Sequence, residues 1–388
     1  MTLPTPTSYV TVGLNQIFDD VVDINSITCT YGRTTLTEQP GASTFTCSYS
    51  LRHDNPTPPL IDVGDSIRWA VDDPTSTDDL SYVFFGYITD ISQNVTNWRN
   101  GNGLIEYTIT AVGPLSRLLR DTLPSSTSFA KQYEGNRIYA ALSASTWPTY
   151  YIETPGDYEV AADNKGGHTV LEVAQMAAQS GMGLLYEDLD AIYYETFNSR
   201  TDRTYSYELG LSQILATNLG TTQSVTTVAN NINVLYGAGS ANSSAYYADA
   251  GSKTTFGPMA GTRETELHNL TDANTQAQML LKTKAYPRAR LSSVTINLEN
   301  PALSDADRGE IISTRVGNRI KLAIPEQMGG NFDGFVEGYT WNLGRNQRIL
   351  TLQLSDYIEN KPYTMWYNVG SDTWATYATA TTTWGDVI

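Results

Sequence analysis

A chain that spells the same run of strands twice, far apart, has few folds open to it. The later run reads Val316-Gly317-Asn318-Arg319-Ile320-Lys321, then Phe335-Val336-Glu337-Gly338-Tyr339-Thr340, then Arg348-Ile349-Leu350-Thr351-Leu352-Gln353-Leu354. The earlier run reads Val63-Gly64-Asp65-Ser66-Ile67-Arg68, then Phe84-Phe85-Gly86-Tyr87-Ile88, then Glu106-Tyr107-Thr108-Ile109-Thr110-Ala111-Val112. The valine-to-glycine spacing is nearly equal when Gly86-Tyr87 is matched to Gly338-Tyr339. A further strand precedes each run, over residues 45–51 and 294–298. Such a pattern points to one small β-domain duplicated, with other material set between the copies.

Size and composition fit that reading. At 388 residues the chain accommodates two or three domains with separate cores. Charged residues are 17 %, below the usual ~25 %, and Thr, Ser, Asn and 25 Tyr supply the polar surface instead. Aromatic and β-branched residues suit a pleated, half-buried surface. The expected class is therefore mainly β (α+β): two similar antiparallel β-barrel domains, an inserted small α+β domain and a C-terminal extension.

Residues 1–118 are read as an N-terminal arm and the first barrel. Residues 119–219 form the insertion, 220–358 the second barrel with a mobile loop at 238–262, and 359–388 a tail. The insertion contains the clearest helix, over residues 169–180, where Thr169 and Glu172 spell a capping box and Gly181 ends it. A hairpin follows, with Glu187, Asp188 and Asp190 placed in a solvated turn. A second helix is expected over residues 271–285, capped by Thr271 or Asp272 and ended by Pro287. The Gly, Ala, Ser and Thr content of 238–262 is what marks it as a loop.

The formal charge is −17, so the surface repels phosphate and specific nucleic-acid binding is not expected. An acidic lining would suit a ring or tube past which DNA slides. No run reaches the ~18 apolar residues of a membrane span, and the first residues carry no secretory pattern, so cytoplasmic synthesis is expected. Cys29 and Cys47 fall on strands expected to pair, and cytoplasmic origin favours buried, reduced thiols.

Chemistry finds little purchase. His53, His168 and His268 lack neighbouring metal ligands at a useful spacing. Neither a Gly-x-Ser-x-Gly nucleophile motif nor a phosphate-cradling Gly-x-x-x-x-Gly-Lys-Ser/Thr motif occurs. Asp305-x-Asp307 lacks the further oxygen donors of a calcium loop. No catalytic, cofactor-binding or metal residue is assigned. Trp366, Trp374 and Trp384 recur on a Trp-x-x-apolar beat in the tail and are the candidate partner-binding residues, since Trp is enriched at binding hot spots.

Several phrases in a fixed order resemble the hub-type minor tail proteins of long-tailed bacteriophages. They lie at residues 32–43, 85–91, 109–118, 170–174 leading to 183–186, and 286–290, within a resemblance spanning roughly residues 24–358. The resemblance implies a homotrimer in which three chains present six similar β-barrels, matching a hexameric tail tube to a three-fold tip. It implies a structural protein of the virion tail tip and no enzyme. Its partners would be the tube or distal tail protein, central fibre or tip proteins and the tape measure protein. DNA would pass only transiently through the lumen, with no stable membrane insertion. The alternative is a cell-envelope-acting tail enzyme or carbohydrate-binding tail protein, with Trp98 and the tail tryptophans stacking on sugars.

Overall fold

A computed structural model describes residues 8–12, 15–16, 23–34, 38–52, 61–77, 80–99, 102–147, 149–215, 219, 221–237, 243–287, 290–324, 331–344 and 347–356. The chain opens with β1 (Ser8–Val12), β2 (Asp23–Gly32), β3 (Thr44–Arg52), β4 (Ser66–Asp72), β5 (Leu80–Arg99) and β6 (Asn102–Val112). The middle carries α1 (Leu115–Leu118), α2 (Glu134–Ser143), β7 (Tyr150–Ile152), α3 (Val170–Ser180), β8 (Leu184–Asp188), β9 (Ala191–Glu195), α4 (Phe197–Thr201) and β10 (Tyr207–Gly210). Then come β11 (Asn231–Tyr236), β12 (Ser243–Ala248), α5 (Ala250–Phe256), β13 (Ala260–Glu264) and α6 (Leu270–Lys284). The described chain closes with β14 (Ser293–Asn297), α7 (Asp305–Ile312), β15 (Arg319–Ala323), β16 (Phe332–Gly344) and β17 (Gln347–Asp356).

The two runs form units of one topology. The strand order is β3-β6-β5-β4 in the first and β14-β17-β16-β15 in the second, antiparallel throughout. Both units obey the two-residue period of a half-buried sheet. In β3, Phe45, Cys47 and Tyr49 are buried while Thr44 and Thr46 face outward; in β17, Leu350, Leu352 and Leu354 are buried.

The match extends to backbone detail. Gly64 and Gly317 both adopt positive φ, 100° and 87°, in the turn before the second strand of each unit. Gly64 N–H donates to Ile88 O at 2.8 Å and Ile88 N–H to Asp65 O at 2.9 Å; Gly317 N–H donates to Val336 O and Val336 N–H to Asn318 O, each at 2.8 Å. Ile67 lies opposite Gly86, and Ile320 opposite Gly334. One residue later than these bonded positions, each unit carries a register shift, between Ile88 and Asp90 and between Val336 and Gly338. These are equivalent β-bulges centred on Thr89 and Glu337.

This register corrects the sequence alignment. The partner of Gly86 is Gly334, four residues before the Gly338 that spacing suggested. A Cβ on Gly86 would sit 2.5 Å from Val112 O and 2.6 Å from the Phe84 ring; on Gly334 it would sit 2.1 Å from Ser355 O and 2.3 Å from the Phe332 ring. In both units a phenylalanine two residues earlier covers a glycine on its own strand, leaving no room for a side chain. The Gly-Tyr dipeptide recurred by chance.

The two units are not separate closed barrels among the described residues. They are arcs of one open 12-stranded sheet, joined by β2. One edge of β2 pairs with β3, the other with Gly338–Gly344 of β16 in seven residue pairs, Gly338↔Gly32 to Gly344↔Ser26. Barrel closure was expected of each unit alone; instead the long-range pairing through β2 merges them. The merged core includes Phe45 stacked on Phe84 at 4.9 Å, Tyr31 on Tyr339 at 5.1 Å, and Trp69 edge-on to Trp341 at 6.1 Å. Cys29 and Cys47 are buried free thiols on diagonal positions, with Cys29 opposite Phe45 and Ile27 opposite Cys47. Burial pushes the Cys47 thiol pKa up, which keeps it protonated.

The insertion has its own core. Ile138, Ala141 and Leu142 of α2 meet Val170, Val173, Ala174 and Ala177 of α3 over Leu185 and Ile192 of the β8–β9 hairpin. Each fully buried Leu or Ile stabilises by roughly 2 kcal/mol. Thr169 and Glu172 form the expected capping box on α3. The cap of α6 is Asn269, whose side chain accepts from Asp272 N–H at 2.9 Å, in place of Thr271 or Asp272.

The expected mobile loop at 238–262 is corrected over its described part. Residues 243–264 form β12, α5 and β13, with β12 antiparallel and β13 parallel to β11. Polar contacts order this small-residue segment. Asp249 caps α5 through Ser252 N–H at 2.7 Å, and the buried Asn230 donates to Gly257 O and accepts from Met259 N–H, each at 2.8 Å. Composition does not register such a buried amide.

Candidate assembly interface

The joint between the units is built around an acid inside the sheet. Glu337 is the bulged residue of β16 and is 1 % exposed. Arg33, one residue beyond β2, donates its Nε to Glu337 Oε2 at 2.8 Å and its backbone N–H to Glu337 O at 2.8 Å. Arg200 of α4 and the Ser355 hydroxyl of β17 both donate to Oε1. Three parts of the chain thus meet on one carboxylate: the link between units, the insertion and the second unit. Burial would raise the Glu337 pKa, but Arg200 and Arg33, with hydrogen bonds from Ser355 and Arg33, outweigh it and hold the carboxyl down to about 2.

Beside this cluster two glycines face each other across the ladder. A Cβ on Gly32, whose φ is +83°, would lie 2.3 Å from Glu337 O; one on Gly338 would lie 2.6 Å from Tyr31 O. Gly338, the glycine that spacing singled out, serves the close pairing of β16 with β2.

A second acid pins the insertion to the first unit. Glu187 of β8 accepts Ser43 N–H on Oε1 and Leu115 N–H on Oε2, each at 2.5 Å. It is 3 % exposed, which corrects the solvated turn expected for the Glu187, Asp188 and Asp190 cluster. The hairpin turn begins two residues later, at Leu189 with φ 51°, so Glu187 remains in the strand and points inward. With no cation beside it, burial dominates over the two backbone donors and its pKa rises to about 7. Asp188 instead pairs with Arg315 of the second unit at 2.7 Å.

The equivalent edges of the two units end differently. Over Gly338–Gly344 the edge of β16 beyond β15 is filled by β2. The matching stretch of β5, residues 90–96, pairs with β6 on one side only; β4 ends opposite Tyr87, and no described strand occupies the edge beyond it. Val95, equivalent to the buried Leu343, is 62 % exposed.

A cavity of about 360 Å³ between α6 and the β11–β13 sheet is lined by Arg263, Glu264, Lys284, Ile232 and Leu280 among others, with no paired acids. Among the described residues no group of three His, Cys, Asp or Glu is placed to hold a metal ion. Asp307, weighed as a calcium ligand, completes a capping box with Ser304 at the start of α7, and Asp305 pairs with Arg308 at 2.9 Å. His168 and His268 are exposed. His53, Trp366, Trp374 and Trp384 lie outside the described residues, as does the Trp98 side chain.

Sequence reading missed Arg33, Arg200 and Glu337 as a group. The one local signal is Glu337 itself, an acid between Val336 and Gly338 within an apolar strand, where a bulge turns it inward.

Compared by sequence, the chain matches no family model and no curated protein. Compared by structure, it shares the fold of solved phage and prophage tail proteins. A tail protein from Neisseria meningitidis MC58 superposes with a TM-score of 0.62 at 14 % identity, over 92 % of this chain and 98 % of that one. The 43 kDa tail protein of prophage MuSo2 from Shewanella oneidensis gives 0.62 at 12 %, over 92 % and 99 %. The prophage tail protein gp18 from Listeria monocytogenes EGD-e gives 0.55 at 10 %, over 90 % and 94 %.

Proposed function

We propose that this chain is a structural hub of a bacteriophage tail tip. Three copies form a ring in which six similar β-units face a hexameric tube on one side and a three-fold tip on the other. The chain closes the tube, adapts the two symmetries and anchors fibre or tip proteins, without catalysis. The observation that carries this reading is the internal repeat: two units with one strand order, the same glycine turn, the same covered glycine and the same bulge. The shared fold with tail proteins supports the virion setting. The charge of −17 suits a lumen through which DNA passes without sticking. Tube, fibre and tape measure proteins are the partners this role requires, and the tail at 359–388, with Trp366, Trp374 and Trp384, is the segment proposed to hold a neighbour.

The test is an averaged axial image of the particle's tail tip, with copy number from quantitative gel densitometry. The expected result is three copies and six densities in alternating pairs. Six copies, or three densities at the radius of the units, overturns it.

A further inference from the structure

We propose that the open edge of β5, residues 90–96, is the strand on which a second copy of this chain docks, by the pairing that β2 makes inside the chain. This rests on the ring of three chains proposed above and says which backbone closes it.

The internal joint supplies the template. Equivalence of the bulges sets Gly338–Gly344 against residues 90–96, one for one. On β16 that stretch bonds to β2, and the inward side chains Tyr339, Trp341 and Leu343 are buried at 3, 2 and 6 % exposure. On β5 the inward positions are Ile91, Gln93 and Val95. Ile91 is partly buried against the core, while Gln93 and Val95 lie open.

Between the bulge at Thr89 and the register shift after Thr96, this edge carries little of the usual protection. Natural edge strands are kept short or interrupted by Lys, Pro or a covering element, because an open row of N–H and C=O groups templates another strand. The stretch reads Asp90-Ile91-Ser92-Gln93-Asn94-Val95-Thr96, with no Lys, Arg or Pro, within a strand of 20 residues. Strand addition to such an edge draws affinity from main-chain hydrogen bonds and register from alternate side chains.

The second copy is the occupant because the chain contains the matching donor. β2 runs antiparallel to β3, the leading strand of the first unit. Ahead of the second unit, Leu215 N–H donates to Thr295 O at 2.8 Å, and Thr221–Thr222 pairs antiparallel with Arg290–Leu291. The ladder lies on Arg290–Leu291, just ahead of β14, and the Leu215 bond reaches β14 itself, so this segment runs beside the second unit where β2 runs beside the first; no described strand pairs with the outer side of Thr221–Thr222. A donor at the second unit and an acceptor at the first make a head-to-tail contact, which closes a ring when its rotation permits.

The test uses the full chain and its Val95→Lys variant, measured by light scattering after gel filtration and by peptide-level hydrogen exchange. Val95 is exposed in the single chain, so a lysine there leaves folding intact, as a thermal melt would verify; under a docked strand it must be buried. The expected result is a three-chain species for the wild type, with slow exchange at 90–96, and at least tenfold weaker association for Val95→Lys. Val63→Lys, at a valine 63 % exposed elsewhere, leaves the mass unchanged. A Val95→Lys chain that still forms trimers overturns the edge assignment and leaves the hub reading standing. A wild type that stays single at every concentration overturns both. Protection at 90–96 that vanishes when residues 357–388 are removed assigns the edge to the chain's own C-terminal segment instead, and also overturns the proposal.

Discussion

The two units have one plan and two different burdens. At the bulge the first unit places Thr89, exposed, and the second places Glu337, buried between two arginines and a serine hydroxyl. Beyond the bulge the second unit's edge is covered by β2 and the first unit's is open. The shared parts are those a strand set needs in order to fold: a glycine turn, a glycine roofed by phenylalanine, and apolar residues on every second position. The differences at the bulge and along the edge fall where the second unit meets other segments. Fold and assembly are thus written in separate residues, and each can be broken without the other.

The largest contrast is expected at the bulges. Glu337→Ala leaves Arg33 and Arg200 buried without a counter-charge, and such a loss costs about 3–5 kcal/mol. Thr89→Ala at the equivalent position stays within about 0.5 kcal/mol. Urea unfolding of both variants checks this, and equal costs would mean the carboxylate is not the joint. Next come the covered glycines. Gly86→Ala and Gly334→Ala both force a methyl against a carbonyl and a ring, and each is expected to cost about 1–3 kcal/mol. A neutral change at one of them breaks the equivalence of the units.

A third contrast is in pH. Glu337 is depressed to about 2, below its unfolded value of ~4.3, so its contribution is full above ~4.3 and is lost as pH falls towards 2. Glu187 is raised to about 7, so between ~4.3 and about 7 the unfolded chain releases a proton that the folded chain keeps. Stability on its account therefore falls as pH rises through that window. Glu187→Gln is expected to flatten the neutral limb of the stability profile while costing about 1–3 kcal/mol, because one amide N–H donor loses its acceptor. Glu337→Gln is expected to flatten the acid limb. Denaturation midpoints from pH 2 to 8 separate the two, and a neutral limb of opposite slope would refute the Glu187 assignment.

The smallest expected effect is none. The purified chain should leave the turbidity of a cell-wall suspension unchanged. Clearing that is abolished by one carboxylate substitution would revive the envelope-enzyme reading.

Much of the fold was legible because local chemistry wrote it. The capping box at Thr169 and Glu172, the alternation in β3 and β17 and the double strand run are short-range patterns. The misplaced Gly338 shows where that ends: spacing counts residues, whereas register is set by cross-strand bonds such as Gly317 to Val336. Glu187 and Glu337 read as ordinary acids because their burial depends on Ser43, Leu115, Arg33 and Arg200, all distant in the chain. The merged sheet was illegible for the same reason, since β2 meets β16 across some three hundred residues.

β2 also has an entropic meaning. Bringing two free molecules together forfeits translational and rotational freedom worth an estimated 4–15 kcal/mol, whereas a seam between covalently linked partners forfeits almost none. Because β2 sews the two units within one polypeptide, that seam survives any dilution. A ring made from such pairs would come apart only at its alternate seams, and always into the same doubled blocks.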